Sequence, residues 1–221
     1  MNKESSMEQT EFLTREGIAH FKQGAYDEAL VSFTEAARLY RDAGNVQGEA
    51  RQHMLMADTY CASDRQEEAL DIYCQIGLLL ASEGDKPGMA AVQNNIGLLL
   101  SRLQRFDEAL TTFNYARENF VDCGQPEGVA DQLGNMGSVC RDRKDYSQAL
   151  DYYGQALQIF EELGHLGKVA DQYTNIGYIH ALTENKASAL LQFEKARDIY
   201  EQTGNAAKAR QASKNIDLLK E

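Results

Sequence analysis

Three asparagines recur at a spacing of forty residues, at Asn95, Asn135 and Asn175, each two residues before a glycine. They lie in otherwise apolar helical stretches, although asparagine is a poor helix former because its amide competes for backbone hydrogen bonds. A side-chain amide offers two donors and an acceptor, so it can bond the C=O and N–H of a passing backbone without reading its side chains. The spacing therefore predicts a row of amides that holds an extended peptide.

The asparagines belong to a repeat that runs along the whole chain. Shifting the sequence by forty residues superimposes it on itself without gaps, with an Ala-Leu pair, an aromatic residue and a closing glycine in every copy. Self-similarity at this period indicates stacked structural repeats. The aromatic residues are Phe33, Tyr73, Phe113, Tyr153 and Phe193, and the glycines are Gly44, Gly84, Gly124, Gly164 and Gly204.

Each copy contains two helical patterns, as residues 87–103 and 107–122 show in the third one. The gap between them is short, so the two helices must be antiparallel neighbours. The predicted fold is all-α, a right-handed superhelical solenoid of five antiparallel helix pairs with a C-terminal capping helix. The predicted segments are a disordered N-terminus at 1–7, repeats at 8–44, 45–84, 85–124, 125–164 and 165–204, and the cap at 205–221.

Small residues are expected to let the paired helices approach closely. Gly137 and Gly177 of the first helices are predicted to lie opposite Ala149 and Ala189 of the second helices, with no side chain between the backbones. The closing glycines suit left-handed caps at the ends of the second helices.

The asparagine row is predicted to face away from the second helix. On a wheel of about 100° per residue, the packing residues Ile96 and Gly97 fall about 100° and 200° from Asn95, so the packing arc lies opposite the amide. Acidic residues at 131 and 171 on the same stripe predict a ligand with at least one Lys or Arg, since partial desolvation strengthens such a pair. The candidate peptide-binding residues are Asn94, Asn95, Leu98, Arg102, Asp131, Asn135, Ser138, Asp142, Asp171, Asn175, Tyr178 and Asn215.

A purely structural interpretation of the amides stays open. They can bond the backbone of a neighbouring helix and stiffen the stack, as buried asparagine often does. Leu98 and Tyr178 fit either a groove floor or helix packing. The equivalents of the asparagines in the first two repeats are Arg15 and Leu55, which places the predicted contact on repeats 3 to 5.

Charge and hydropathy exclude several classes of protein. The 34 Asp and Glu against 22 Lys and Arg give a net charge of −12, which repels nucleic acid because no basic stripe interrupts it. The longest apolar runs, near residues 76–80 and 96–100, are far shorter than a membrane span, and the first residues lack a secretory signal. A cytoplasmic protein that does not contact membranes is expected.

No catalytic, metal or cofactor site is expected. The four histidines form no H-E-x-x-H pair, and the sequence has no phosphate-binding glycine motif. The cysteines show no C-x-x-C spacing and lie in apolar helical stretches, so buried thiols are predicted instead of a zinc site or disulfides. They are Cys61, Cys74, Cys123 and Cys140.

Over roughly residues 8–220 the chain resembles the tetratricopeptide repeat family. Its clearest copy, GIAHFKQGAYDEALVSFTEAARLY at 17–40, has the family's small residue in the first helix and Ala-x-x-x-aromatic-x-x-Ala in the second. The forty-residue unit, the absent tryptophan and the absent proline after the second helix depart from the usual motif. The Asn-hydrophobic-Gly signature resembles the subgroup of kinesin light chain, Leu-Gly-Asn repeat adaptors and Rap-type peptide receptors.

This resemblance implies an extended peptide bound on the concave face, with first-helix asparagines on its backbone. The family's carboxylate clamp for chaperone tails is not expected, because the phases that need Lys and Arg lack them. Those phases carry Asn94, Gly134, Thr174, Asp131, Asp171 and Asn175.

Three functions are left open by the sequence. The first is a scaffold that binds a protein or peptide segment in its groove. The second is a peptide-signal receptor that regulates an enzyme or transcription factor, although the effector bundle of Rap-type relatives is not expected here because the first repeat starts near residue 8. The third is a self-assembling module, and the expected state is a monomer or weak homodimer.

Overall fold

The computed structural model describes residues 3–220, and every regular element in that range is an α-helix. None of the helices described is both long and apolar enough to span a lipid bilayer. The helices are α1 (Lys3–Lys22), α2 (Tyr26–Asp42), α3 (Val46–Ala62), α4 (Gln66–Glu83), α5 (Lys86–Arg102), α6 (Phe106–Asp122), α7 (Pro126–Asp142), α8 (Tyr146–Leu163), α9 (Leu166–Leu182), α10 (Lys186–Gln202) and α11 (Ala206–Lys220).

The chain forms two compact units. Unit 1 is Met1–Leu103 and contains α1 to α5, and unit 2 is Gln104–Glu221 and contains α6 to α11. Within each unit every helix packs against the next one in sequence. The predicted all-α architecture of sequential helix pairs with a final single helix is confirmed, and its stability comes from contacts between neighbours.

The N-terminal helix is longer than the sequence pattern indicated. It begins at Lys3, within the segment 1–7 that was predicted to be disordered, and residues 1 and 2 lie outside the described residues. No glycine or proline precedes Gly17, so no residue in this stretch interrupts the helix.

Left-handed residues end both helices of each repeat. The predicted caps of the second helices are confirmed, since the five closing glycines have φ between 64° and 73°. The first helix of the first repeat ends in the same way at Gly24. The first helices of the other repeats end at non-glycine residues, which rarely adopt a left-handed backbone conformation. These are Asp64, Gln104, Lys144 and Glu184, with φ between 58° and 66°.

The first-helix glycines make room for an aromatic ring. A Cβ added at Gly137 would lie 2.7 Å from Cδ1 of Tyr153, and one added at Gly177 would lie 2.8 Å from Cε1 of Phe193. The expectation that these glycines face an alanine is therefore corrected, because the ring of the second helix is the nearest group. The Tyr153 ring is fully buried, so it fills the interior that a bare backbone contact would leave empty.

The cysteines differ in exposure. Cys140 is buried as predicted, and burial raises the pKa of its thiol, whereas Cys61 and Cys123 are half-buried. The prediction is wrong for Cys74, which is exposed because it lies one residue, or about 100° of helix, beyond the buried Tyr73. All four are free thiols, and no cluster of His, Cys, Asp and Glu that could hold a metal ion occurs among the described residues.

Unit 1 buries several polar groups. Gln52 is completely buried and neither atom of its amide has a hydrogen-bond partner. The adjacent His53 is 5% exposed and its Nδ1 is also unpartnered. Burial lowers the pKa of His53, the carboxylate of Glu49 opposes this shift, and the guanidinium of Arg41 adds to it.

Acid is expected to destabilise the protein through His53. Above the ordinary pKa of 6.5 the imidazole is neutral in both states, so it contributes no pH dependence. Below that pH the unfolded chain takes up the proton before the buried group does, so stability falls until the lowered pKa of the folded state is reached. Urea unfolding at about pH 7.5 and about pH 5.5 should show a smaller loss for His53→Leu than for the parent protein. Equal losses in the two proteins would contradict this assignment.

Candidate functional site

Unit 2 contains a cavity of about 410 Å³ that is lined mainly by the first helices α7, α9 and α11. Residues three or four apart on one helix share a face, which explains why each helix contributes several side chains. Five of the predicted site residues line it: Asp131, Asn135, Ser138, Asp171 and Asn175. The remaining lining residues are Gly134, Lys168, Gln172, Thr174, Tyr200, Lys208, Gln211 and Ala212.

Asn135 and Asn175 are half-buried at equivalent positions of α7 and α9. The amide of Asn175 makes no hydrogen bond with the described residues, although it lies in a partly desolvated wall. A half-buried amide of this kind is ready to accept and donate bonds to a ligand.

A comparison with the last helix shows why the Asn175 amide is unpartnered. Asn215 is 8% exposed and donates from Nδ2 to the hydroxyl of Tyr178, 37 residues earlier, at 2.9 Å. The residue 37 positions before Asn175 is Ser138, whose shorter hydroxyl lies 3.0 Å from that of Tyr153. Ser138 therefore bonds within its own repeat and leaves the Asn175 amide unpaired.

Both amide atoms of Asn215 are hydrogen-bonded within the chain. Its Nδ2 is bonded to Tyr178, and its Oδ1 accepts from Gln211 Nε2 at 3.2 Å. The Tyr178 ring packs edge-on against Phe193 with ring centres 5.2 Å apart. These contacts favour the structural interpretation for Asn215, because its amide stabilises the contact between α9 and α11.

The acidic residues of the cavity are paired with lysines of the following repeat. Lys168 Nζ lies 2.6 Å from Asp131 Oδ1, and Lys208 Nζ lies 2.5 Å from Asp171 Oδ1. Each pair links two consecutive first helices. Because both carboxylates already have a cationic partner, they no longer indicate a basic ligand.

Tyr200 fixes the second of these pairs. Its hydroxyl donates to Asp171 Oδ1 at 2.6 Å and lies 3.3 Å from Thr174 Oγ1. Burial, followed by the bond to the Asp171 carboxylate, raises the pKa of Tyr200 far above its ordinary value. The hydroxyl therefore stays protonated at physiological pH and holds the carboxylate in place.

The other predicted site residues do not line this cavity. Asn94, Asn95, Leu98 and Arg102 belong to unit 1, where Asn95 Nδ2 lies 3.8 Å from the Sδ of Met54, a weak acceptor. Asn94 Nδ2 lies 3.5 Å from Asn95 Oδ1, and Leu98 and Arg102 are exposed. In unit 2, Asp142 forms an exposed ion pair with Arg141 at 2.9 Å.

The sequence pattern missed two kinds of residue in the cavity. Lys168 and Lys208 are forty residues apart in the first turns of α9 and α11, so their shared phase was a usable signal. Gln172 shares its phase with Gln52 and Gln132, and that recurrence was equally visible. The ion-pair partners of the two lysines could not be predicted from this recurrence, because a contact across 37 residues depends on how consecutive repeats stack.

Part of unit 2 matches a known repeat family. Residues 129–202 match a family model described as tetratricopeptide repeat. The matched part consists of repeat units, and no catalytic domain is evident in the described residues. No curated protein matches the chain.

Several solved structures share this fold at low sequence identity. Aspartyl phosphate phosphatase F from Bacillus subtilis is 18% identical with a TM-score of 0.84, over 97% of this chain and 56% of that one. The quorum sensor NprR from B. thuringiensis, in its apo form, is 18% identical with a TM-score of 0.70, and the match covers 94% of this chain and 58% of NprR. The repeats of a putative kinesin light chain from Podosopora anserina are 12% identical with a TM-score of 0.71, and the match covers 93% of this chain and 100% of that one. The chain thus spans just over half of the phosphatase and of NprR.

Proposed function

We propose that the chain is a tetratricopeptide repeat protein that acts as a protein-interaction scaffold, and that its unit 2 cavity binds an extended peptide segment. The match of residues 129–202 to the repeat model and the fold shared with solved structures support this proposal. The side-chain amides of Asn135 and Asn175 bond the backbone of that segment. Equivalent positions on α7 and α9 put the two amides on the same face of successive first helices, as recognition of a backbone requires.

One observation carries this proposal. The Asn175 amide lies in the cavity wall without a hydrogen bond to the described residues, whereas both amide atoms of Asn215 at the same repeat phase are hydrogen-bonded within the chain. An amide kept only for stiffness would be expected to resemble Asn215. The ligand supplies the partner that Asn175 lacks.

The charges of the cavity favour an uncharged stretch of ligand. Lys168 neutralises the charge of Asp131, and Lys208 neutralises that of Asp171. The electrostatic field that these four side chains exert on the ligand is therefore small. A Lys or Arg of the ligand would have to displace one of these lysines. Binding is therefore driven by backbone hydrogen bonds and burial, and its affinity should change little with salt.

Selection from a randomised peptide library, followed by calorimetry, tests the proposal. Two amides that each form bonds worth about 0.5–1.5 kcal/mol predict that the double variant Asn135→Ala/Asn175→Ala binds selected peptides about 10- to 100-fold more weakly. Asn114→Ala is the matched control, because Asn114 lies on α6 and bonds Glu118 and Arg117 outside the cavity. Unchanged affinity in the double variant would contradict the proposal.

A peptide-signal receptor is the second candidate, and it uses the same site. The observation that favours it is the fold shared with the quorum sensor NprR. A receptor differs from a scaffold in what binding does, because peptide binding would then change the activity of an attached or associated effector. Release or capture of a second protein when a selected peptide is added would distinguish this function from simple scaffolding.

A further inference from the structure

We propose that Tyr178, Leu182 and Leu218 form an apolar patch that binds one large apolar side chain of the peptide, a Leu, Ile, Met or Phe. This inference rests on the proposed peptide binding and adds a side-chain preference to it. The asparagine amides do not supply such a preference, because they bond only the backbone. All three patch residues belong to unit 2, on the first helices α9 and α11.

The patch lies where α9 and α11 run side by side. Lys208 forms an ion pair with Asp171, 37 residues earlier. Asn215 donates to the hydroxyl of Tyr178, which is also 37 residues earlier. An equal separation at two places along the helices shows that they are parallel and in register. Residues one turn beyond Tyr178 and one turn beyond Asn215 therefore lie at the same end of this helix pair.

The three side chains lie on one exposed face. Leu182 is four residues after Tyr178 on α9, and Leu218 is three residues after Asn215 on α11, so each lies one helical turn further along. All three patch residues are exposed to solvent. Large apolar side chains grouped on an exposed face mark interaction sites, because leaving them in water is unfavourable.

The repeat does not require apolar residues at these positions. The four earlier first helices each have a charged residue at the phase of Tyr178 or at that of Leu182, and α11 again has a leucine at the phase of Tyr178. The apolar character is therefore a local feature of α9 and α11. The charged residues of the earlier helices are Lys22, Asp58, Arg102 and Asp142.

Tyr178 is held in place before any ligand binds. Its hydroxyl accepts from Asn215 at 2.9 Å, and its ring packs edge-on against Phe193 with ring centres 5.2 Å apart. A side chain that is already ordered loses little freedom when a ligand covers it. A charged ligand group would lose its hydration on this surface without gaining a partner, so an apolar side chain fits best.

The distance from the cavity amides fits a neighbouring residue of the same peptide. Tyr178 and Leu182 follow Asn175 by three and seven residues, which is about 4.5 Å and about 10.5 Å along the helix. An extended peptide advances roughly 3.3 Å per residue and turns alternate side chains to one side. A residue one or two positions from the one bonded to Asn175 therefore places its side chain on the patch.

A matched pair of leucine variants tests the patch. Leu182 and Leu191 are 54% and 51% exposed in unit 2, but Leu191 lies on the second helix α10 and does not line the cavity. Leu182→Ser should weaken library-selected peptides about tenfold, because the burial of an apolar side chain against it is lost. Leu191→Ser should leave the affinity unchanged. Both changes are on the surface, so both should alter the melting temperature little.

The peptide supplies the second half of this test. Selected peptides should share a Leu, Ile, Met or Phe at one position. Replacing that residue with alanine should cost about tenfold with the parent protein and little with Leu182→Ser, because the contact is then already lost. Equal losses with both proteins, or selected peptides that share no apolar residue, would overturn the patch.

The remaining outcomes distinguish this inference from the proposal on which it rests. Peptides weakened by Asn135→Ala/Asn175→Ala but not by Leu182→Ser would overturn the patch alone. Peptides that ignore both variants, or a library that yields no binder, would overturn both. A parent protein that sediments as a dimer and becomes monomeric with Leu182→Ser would show that a second copy covers the patch, which would also overturn it.

Discussion

Replacing Tyr153 with alanine is expected to lower the free energy of unfolding by about 3–5 kcal/mol, the usual cost of removing a large buried ring. The ring has no exposed surface and packs with Cys140, Ala149 and Ile179, so its removal leaves a cavity that rigid neighbours cannot fill. Urea unfolding followed by circular dichroism measures the loss.

The control for this prediction is Tyr153→Phe. It keeps the ring and removes only the hydroxyl that lies 3.0 Å from Ser138 Oγ, so a loss of about 1 kcal/mol is expected. An alanine variant as stable as the phenylalanine variant would show that the ring is not the centre of this core.

The same substitution at two glycines of α7 is expected to have opposite effects. Gly137→Ala places a Cβ 2.7 Å from the buried ring of Tyr153 and should cost about 1–3 kcal/mol through overpacking. The Cβ added by Gly134→Ala has no neighbouring atom closer than 3.6 Å. This variant should therefore raise the free energy of unfolding by about 0.5–1 kcal/mol, the usual gain of alanine over glycine in a helix. Thermal and urea unfolding of the two single variants measure both signs. A gain at Gly137 or a clear loss at Gly134 would be inconsistent with this packing.

The helices could be predicted because the repeat gives five independent readings of one pattern. Any single copy leaves helix ends uncertain, but the closing glycines and the aromatic series recur at fixed positions and remove that uncertainty. The glycine caps and the buried rings of Tyr153 and Phe193 follow from local geometry, which the chain repeats. The left-handed Lys144 could not be foreseen, since lysine carries no preference for that conformation.

The polar partners could not be predicted, because they depend on side-chain length across stacked helices. Asn175 and Asn215 occupy one repeat phase but differ in their neighbours. Asn215 bonds Tyr178 and Gln211. The equivalent residues beside Asn175 are Ser138 and Asp171, and neither bonds its amide. The acidic residues show the same limit. The sequence predicts an unpaired carboxylate at Asp131, whereas Lys168 on the following first helix forms an ion pair with it.

Backbone recognition by the cavity asparagines is tested most directly by a double-mutant cycle between protein and peptide. A selected peptide and versions with a single backbone N–H replaced by an ester oxygen are titrated against the parent protein and against Asn175→Ala. At one position the ester should cost about tenfold with the parent protein and nothing with Asn175→Ala, because the bond it removes is then already absent. Equal losses for both proteins at every position would show that Asn175 does not bind the peptide backbone.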